Sequence, residues 1–193
     1  MIGRIQYNAP VVLTFSLLAT LVYFANNAML GSLSEYFVLQ PDFNFSDPAS
    51  YVSLAAYVLG HSSTEHLIGN LSIILLVGPI VEEKYGSANT LIMIVFTAIA
   101  TGIGNMLLFS TGIIGASGIA FMFIILVSFA NSQRGRIPLT FILVAALYLG
   151  KEVVVSFQND NISQFAHILG GILGAIFGFY TERVMPVQRQ KIR

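Results

Sequence analysis

Six stretches of this chain stay apolar for about the roughly 17–25 residues that a helix needs to cross a hydrocarbon core. They run near Pro10–Met29, His66–Val81, Leu91–Phe109, Gly115–Ala130, Pro138–Val155 and Ile162–Tyr180. Only 9% of the 193 residues are charged, where a soluble domain would carry roughly a quarter. That deficit excludes a water-soluble globule and a disordered chain. Nine Lys and Arg balance nine Asp and Glu, which excludes a charge-driven nucleic-acid binder. The absence of Cys removes disulfides, thiolate metal sites, iron–sulfur clusters and a cysteine nucleophile. The apolar runs lack the period-2 alternation of a barrel, and an open sheet edge cannot be satisfied in lipid. The expected architecture is therefore an all-α membrane protein, one bundle of six transmembrane helices formed by residues 1–193 as a single domain. The first run follows one basic residue and precedes no small-residue cleavage motif, so it reads as a retained span.

The single long connection runs from about Leu30 to Glu65 and holds Tyr36, Phe37, Phe43, Phe45 and Tyr51. A loop that apolar packs into the membrane interface and associates with lipid. Charge sets the orientation. With the N-terminus inside, the inner segments hold Arg4, Lys84, Arg134, Arg136, Arg183, Arg189, Lys191 and Arg193, and the outer ones hold only Lys151. This asymmetry puts both termini in the cytoplasm. The second, fourth and sixth segments then all begin at the outer face.

Polar groups inside membrane helices are costly and are functional candidates for that reason. His66 and Asn70 stand at the outer start of the second segment, Ser117 at that of the fourth and His167 near that of the sixth. His66 and Asn70 are four apart and share a helix face. At 1.5 Å per residue, Ser117 and His167 both fall within about 10 Å of the outer boundary. Ser117 sits among small residues, Gly115-Ala116-Ser117-Gly118, and Gly170, Gly174 and Gly178 form a groove along the sixth segment. Such surfaces suit close helix packing, which would bring hydroxyl and imidazole together. A serine needs a base to become a nucleophile, and histidine is the usual one. His66, Asn70 and the peptide N–H near Ser117 are candidate donors to an oxyanion. His61 lies about 140° from His66 around a helix, or before the helix starts, and is the less central histidine.

These residues resemble the rhomboid family of intramembrane serine proteases. The likeness rests on four patterns in order: His61, His66 and Asn70; Glu82 and Gly86; Gly115-Ala116-Ser117-Gly118; and Ala166, His167, Gly170 and Gly174. It implies a rhomboid-like bundle with a membrane-associated first loop. It further implies a Ser117–His167 dyad without a carboxylate, with oxyanion stabilisation by His66, Asn70 and the Ser117 backbone. Gly115, Gly118, Phe121, Gly170 and Gly174 would pack the helices at the site. The implied reaction is hydrolysis of a peptide bond in or beside a transmembrane segment, through an acyl-enzyme on Ser117. Substrates would be membrane proteins entering laterally from lipid, gated by the fifth helix and the loop after it. The active site would lie near the outer face of a plasma or inner membrane, and neither metal nor cofactor is implied.

Two positions depart from the family's habit. The Trp-Arg pair common in the first loop is missing, the nearby segment reading Tyr51-Val52, and Phe121 replaces a frequent Tyr four residues after the serine. Two other readings stand beside the protease. One is a catalytically silent rhomboid-like protein that binds membrane clients, although such relatives typically lose the serine or the histidine. The other is a zinc site on His61, His66 and His167. Against the zinc site, no helix carries a carboxylate at ligand spacing, and the 61–66 spacing points the two side chains apart.

Overall fold

The computed structural model describes residues 5–130, 136–156 and 161–184. Among them the regular elements are helices: α1 (Pro10–Ala28), α2 (Ser34–Phe37), α3 (Pro48–Ala56), α4 (Thr64–Tyr85), α5 (Ser87–Leu108), α6 (Ser117–Val127), α7 (Leu139–Ser156) and α8 (Asn161–Val184). A 3₁₀ turn over Tyr57–Leu59 follows α3. Among the described residues, four helices are long and apolar enough to cross a membrane: α1, α4, α5 and the Gln164–Thr181 stretch of α8. Of the basic residues that set the expected orientation, Arg4, Arg134, Arg189, Lys191 and Arg193 lie outside the described residues. So does the 157–160 part of the expected gate.

Helix α6 is the centre of the bundle. Its sequence has no polar face because it has no water-facing side: Gly118 through Leu126 are all buried. It packs against α4, α5, α7 and α8, most extensively against α8. At eleven residues it is shorter than the Gly115–Ala130 run suggested. The chain leaves the helix in a turn at Ser128–Ala130, where Phe129 N–H bonds to the Leu126 carbonyl at 3.0 Å.

Helices α6 and α8 touch through their backbones. A Cβ added to Gly170 would overlap the carbonyl oxygen of Gly118, and one on Gly174 would stand 2.7 Å from the Met122 carbonyl oxygen. One on Gly178 would meet the Phe129 ring at 2.7 Å. The glycine row read from the sequence therefore faces α6 along its length. In lipid, apolar helices gain nothing from hiding apolar surface, so close contact between small residues is what holds such a pair together.

Helix α1 begins with Pro10 and has no side-chain cap of its own. Its cap comes from the far end of α4. The buried Glu82 carboxylate accepts from Val11 N–H at 3.0 Å and from Val12 N–H at 2.9 Å, and Ser87 Oγ donates to it at 2.6 Å. An anion at a helix N-terminus is favoured by the orphan N–H groups and the helix dipole. Next to it, Lys84 Nζ donates to the Phe129 carbonyl beyond the end of α6. The end of α4 thus holds two other helices in place.

The long connection after α1 is built rather than loose, which the apolar pattern alone did not predict. It contains α2, α3 and the 3₁₀ turn, and it is fastened at two points. Leu39 and Ile113 exchange backbone hydrogen bonds of 3.0 and 2.9 Å, and Gly115 N–H bonds to the Tyr57 carbonyl at 3.0 Å. Tyr57 is buried and donates its hydroxyl to the Ala98 carbonyl at 3.0 Å. On the outside of the same segment, Phe45 and Tyr51 remain exposed and flank Phe43 edge-on.

The glycine contact makes a graded prediction. Gly170→Ala forces α6 and α8 apart and should destabilise the protein by about 1–3 kcal/mol, read as a fall in thermal midpoint of several degrees in detergent. Gly69→Ala, on the open side of α4 with nothing within 4 Å of the new methyl, should leave the midpoint unchanged or slightly raised.

Candidate active site

Serine 117 is the first residue of α6, and no side chain caps that helix. The first N–H groups of the helix are therefore available to a negative charge forming beside Ser117. The chain reaches this point through Gly115, whose φ of 115° suits glycine alone. A second reason excludes any side chain there: a Cβ on Gly115 would lie 2.6 Å from His66 Nε2 and 2.5 Å from Cε1. The Tyr57 carbonyl holds the Gly115 N–H, so the first connection fixes the turn that presents the serine.

The contact of α6 with α8 sets the level of His167. Gly118 lies against the Ala166 carbonyl, 3.2 Å from where its Cβ would stand, and Gly170 lies against Gly118. Ser117 and His167 are the chain neighbours of those contact residues. One turn on from Ser117, Phe121 stacks flat on the His167 ring at 4.2 Å and 6° between planes. The aromatic ring expected to pack the histidine is thus in place without a hydroxyl. Ser117, His66 and His167 are each half-buried.

Helix α4 brings the other polar groups. Ser63 caps it by accepting the His66 N–H at 3.1 Å. The Ser62 hydroxyl lies 3.2 Å from His66 Nδ1, which leaves Nε2 on the side of Gly115. Asn70 is buried one turn further along. Its Nδ2 is 3.1 Å from His61 Nε2 and 3.6 Å from the Cβ position of Gly115. Ser117, His167, His66 and Asn70 line one open cavity of about 580 Å³.

His61 is closer to this group than the sequence suggested. Its ring meets the His66 ring edge-on at 5.0 Å, so the two side chains do not point apart. The helical-wheel angle does not apply, because His61 precedes α4 and the chain bends before Thr64. His61 Nδ1 is 3.3 Å from the Leu59 carbonyl, which only accepts, so that nitrogen carries the proton. Nε2 of the neutral ring then accepts from Asn70. Both nitrogens are used in fixing Asn70, and a nine-residue separation across a helix start gave no periodic signal of it.

The Rhomboid domain family model matches residues 48–184. The chain is also similar to Rhomboid protease GlpG of Haemophilus influenzae, at 22% identity over 177 residues that cover 90% of this chain and 92% of that protein.

The burial of His61 sets an acid limit on stability. Burial, reinforced by the neighbouring His66, pushes the His61 imidazole down from its ordinary 6.5 to about 4. Between those values the unfolded chain binds a proton that the folded one does not, so stability rises with pH. The contribution is complete above about pH 6.5 and is lost as the pH falls to about 4. Unfolding midpoints measured from pH 4 to 7 should therefore fall on acidification, by up to a few kcal/mol, and His61→Gln should flatten that slope.

Proposed function

The chain belongs to the rhomboid family, and on that footing we propose that it is an intramembrane serine endopeptidase. It hydrolyses peptide bonds in or next to the transmembrane segments of other membrane proteins. Ser117 Oγ attacks the scissile carbonyl carbon while His167 takes its proton. The tetrahedral oxyanion receives hydrogen bonds from the Ser117 N–H at the uncapped start of α6, from Asn70 Nδ2 and from His66 Nε2. A Ser62 hydroxyl donating to His66 Nδ1 leaves the proton of a neutral His66 ring on Nε2, as this role requires. His167 then protonates the leaving amine, and the acyl group stays on Ser117. Water enters, gives a proton to His167 and attacks the acyl carbon; the bond to Ser117 Oγ breaks, His167 returns the proton to that oxygen, and the acid leaves with the dyad in its starting state.

The observation that carries this reading is the α6–α8 register. Gly118 packed on Ala166 and Gly170, with Phe121 flat on His167, supports a serine and an imidazole opening into one cavity. Counting α6 and α7 with the four longer helices gives six spans. The excess of Lys and Arg on alternate connections supports cytoplasmic termini in a cell membrane, with the cavity toward the outer face. Substrates enter sideways from lipid.

The test is cleavage of a single-span reporter by purified protein in proteoliposomes. Ser117→Ala and His167→Ala should each lower cleavage by roughly a thousandfold or more with little change in thermal midpoint. A fluorophosphonate should label the wild type and not Ser117→Ala. Cleavage and labelling that both survive Ser117→Ala would overturn the assignment.

A further inference from the structure

The cavity around Ser117 carries a second row of residues that peptide-bond hydrolysis does not use. His66 and Asn70 form one row on α4. Glu65 and Gly69, each one residue earlier, form a parallel row and line the same cavity. Four residues apart, they sit one above the other on one helix face, about 6 Å along the axis.

Gly69 leaves a gap. Nothing lies within 4 Å of where its Cβ would be, whereas Gly115, Gly170 and Gly174 are each filled by a neighbour. The wall of the same cavity includes the apolar Ile114. Glu65 is exposed in the first turn of α4, where a carboxylate is favoured by the helix dipole. Among the described lining residues it is the one carboxylate, and none of them is Lys or Arg. The result is open space over Gly69 in a cavity whose lining is partly apolar and carries one carboxylate.

A long basic side chain has the matching shape: a methylene stem that packs on apolar surface and a cationic head that seeks a carboxylate. We propose that Glu65 and Gly69 form a subsite that selects substrates with Lys or Arg close to the scissile bond. The proposal rests on the protease reading above and adds a substrate class to it. An acidic residue at the same place meets Glu65 as a like charge and is disfavoured.

The experiment uses the full chain in proteoliposomes with single-span reporters that differ at one residue, scanned through the positions flanking the cut. At one of these positions the Lys reporter should be cleaved about five- to tenfold faster, as kcat/KM, than the Met reporter. The Glu reporter should be slower than both. Glu65→Gln should bring the Lys-to-Met ratio near one, and Glu65→Lys should invert the order of Lys and Glu. Gly69→Leu should reduce cleavage of the Lys reporter more than that of an Ala reporter.

Fluorophosphonate labelling of Ser117, followed in every variant, separates the two levels of the argument. Labelled enzymes whose Lys-to-Glu ratio is the same with Glu, Gln or Lys at position 65 would overturn the subsite and leave the protease standing. Reporters left uncut by an unlabelled wild type would overturn the protease reading and the subsite with it.

Discussion

Everything at the site depends on two helices meeting backbone to backbone. Gly118 of α6 and Gly170 and Gly174 of α8 leave no room for a methyl group between them. In a bilayer, where lipid is as apolar as leucine, such a contact relies on dispersion and shape rather than on exclusion of water. Its value is positional. It fixes the rotation and the height of α8 against α6, and so decides what faces the hydroxyl of Ser117. The Phe121 ring against His167 continues the same surface by one turn.

Helix α4 does complementary work at its two ends. At one end Ser63 caps it, and His66 and Asn70 look toward Gly115. At the other, Glu82 receives the first N–H groups of α1, and Lys84 reaches the chain leaving α6. A buried carboxylate is costly unless its oxygens are satisfied, and Glu82 meets that condition with two backbone donors and a serine. The polar groups that α4 buries thus join helices at one end and line the cavity at the other.

The parts of this arrangement that follow local rules were legible in the sequence. Apolar runs of membrane length announce helices, and α1 occupies Pro10–Ala28 where the first run began at Pro10. The four-residue glycine spacing pointed to a contact face, and that face meets α6. What the sequence did not reveal depends on residues far apart in the chain. Leu39 pairs with Ile113, Tyr57 holds Gly115, and Glu82 caps a helix some seventy residues earlier. Periodicity carries no trace of such pairings. His61 was read as the less central histidine, yet its place before the helix starts, one of the two the sequence left open, lets it reach Asn70.

The length of α6 has its own consequence. Eleven residues span about 16 Å, little more than half of a hydrocarbon core about 30 Å thick. The helical part alone falls short of that thickness, and the open cavity lies at its serine end. The height of the Ser117 hydroxyl along the bundle is then set by counting residues, as on a ruler. Under the protease reading proposed above, a partner segment would have to unwind or bend down into that well to offer its backbone, which makes the accessibility of the partner's own helix the first filter.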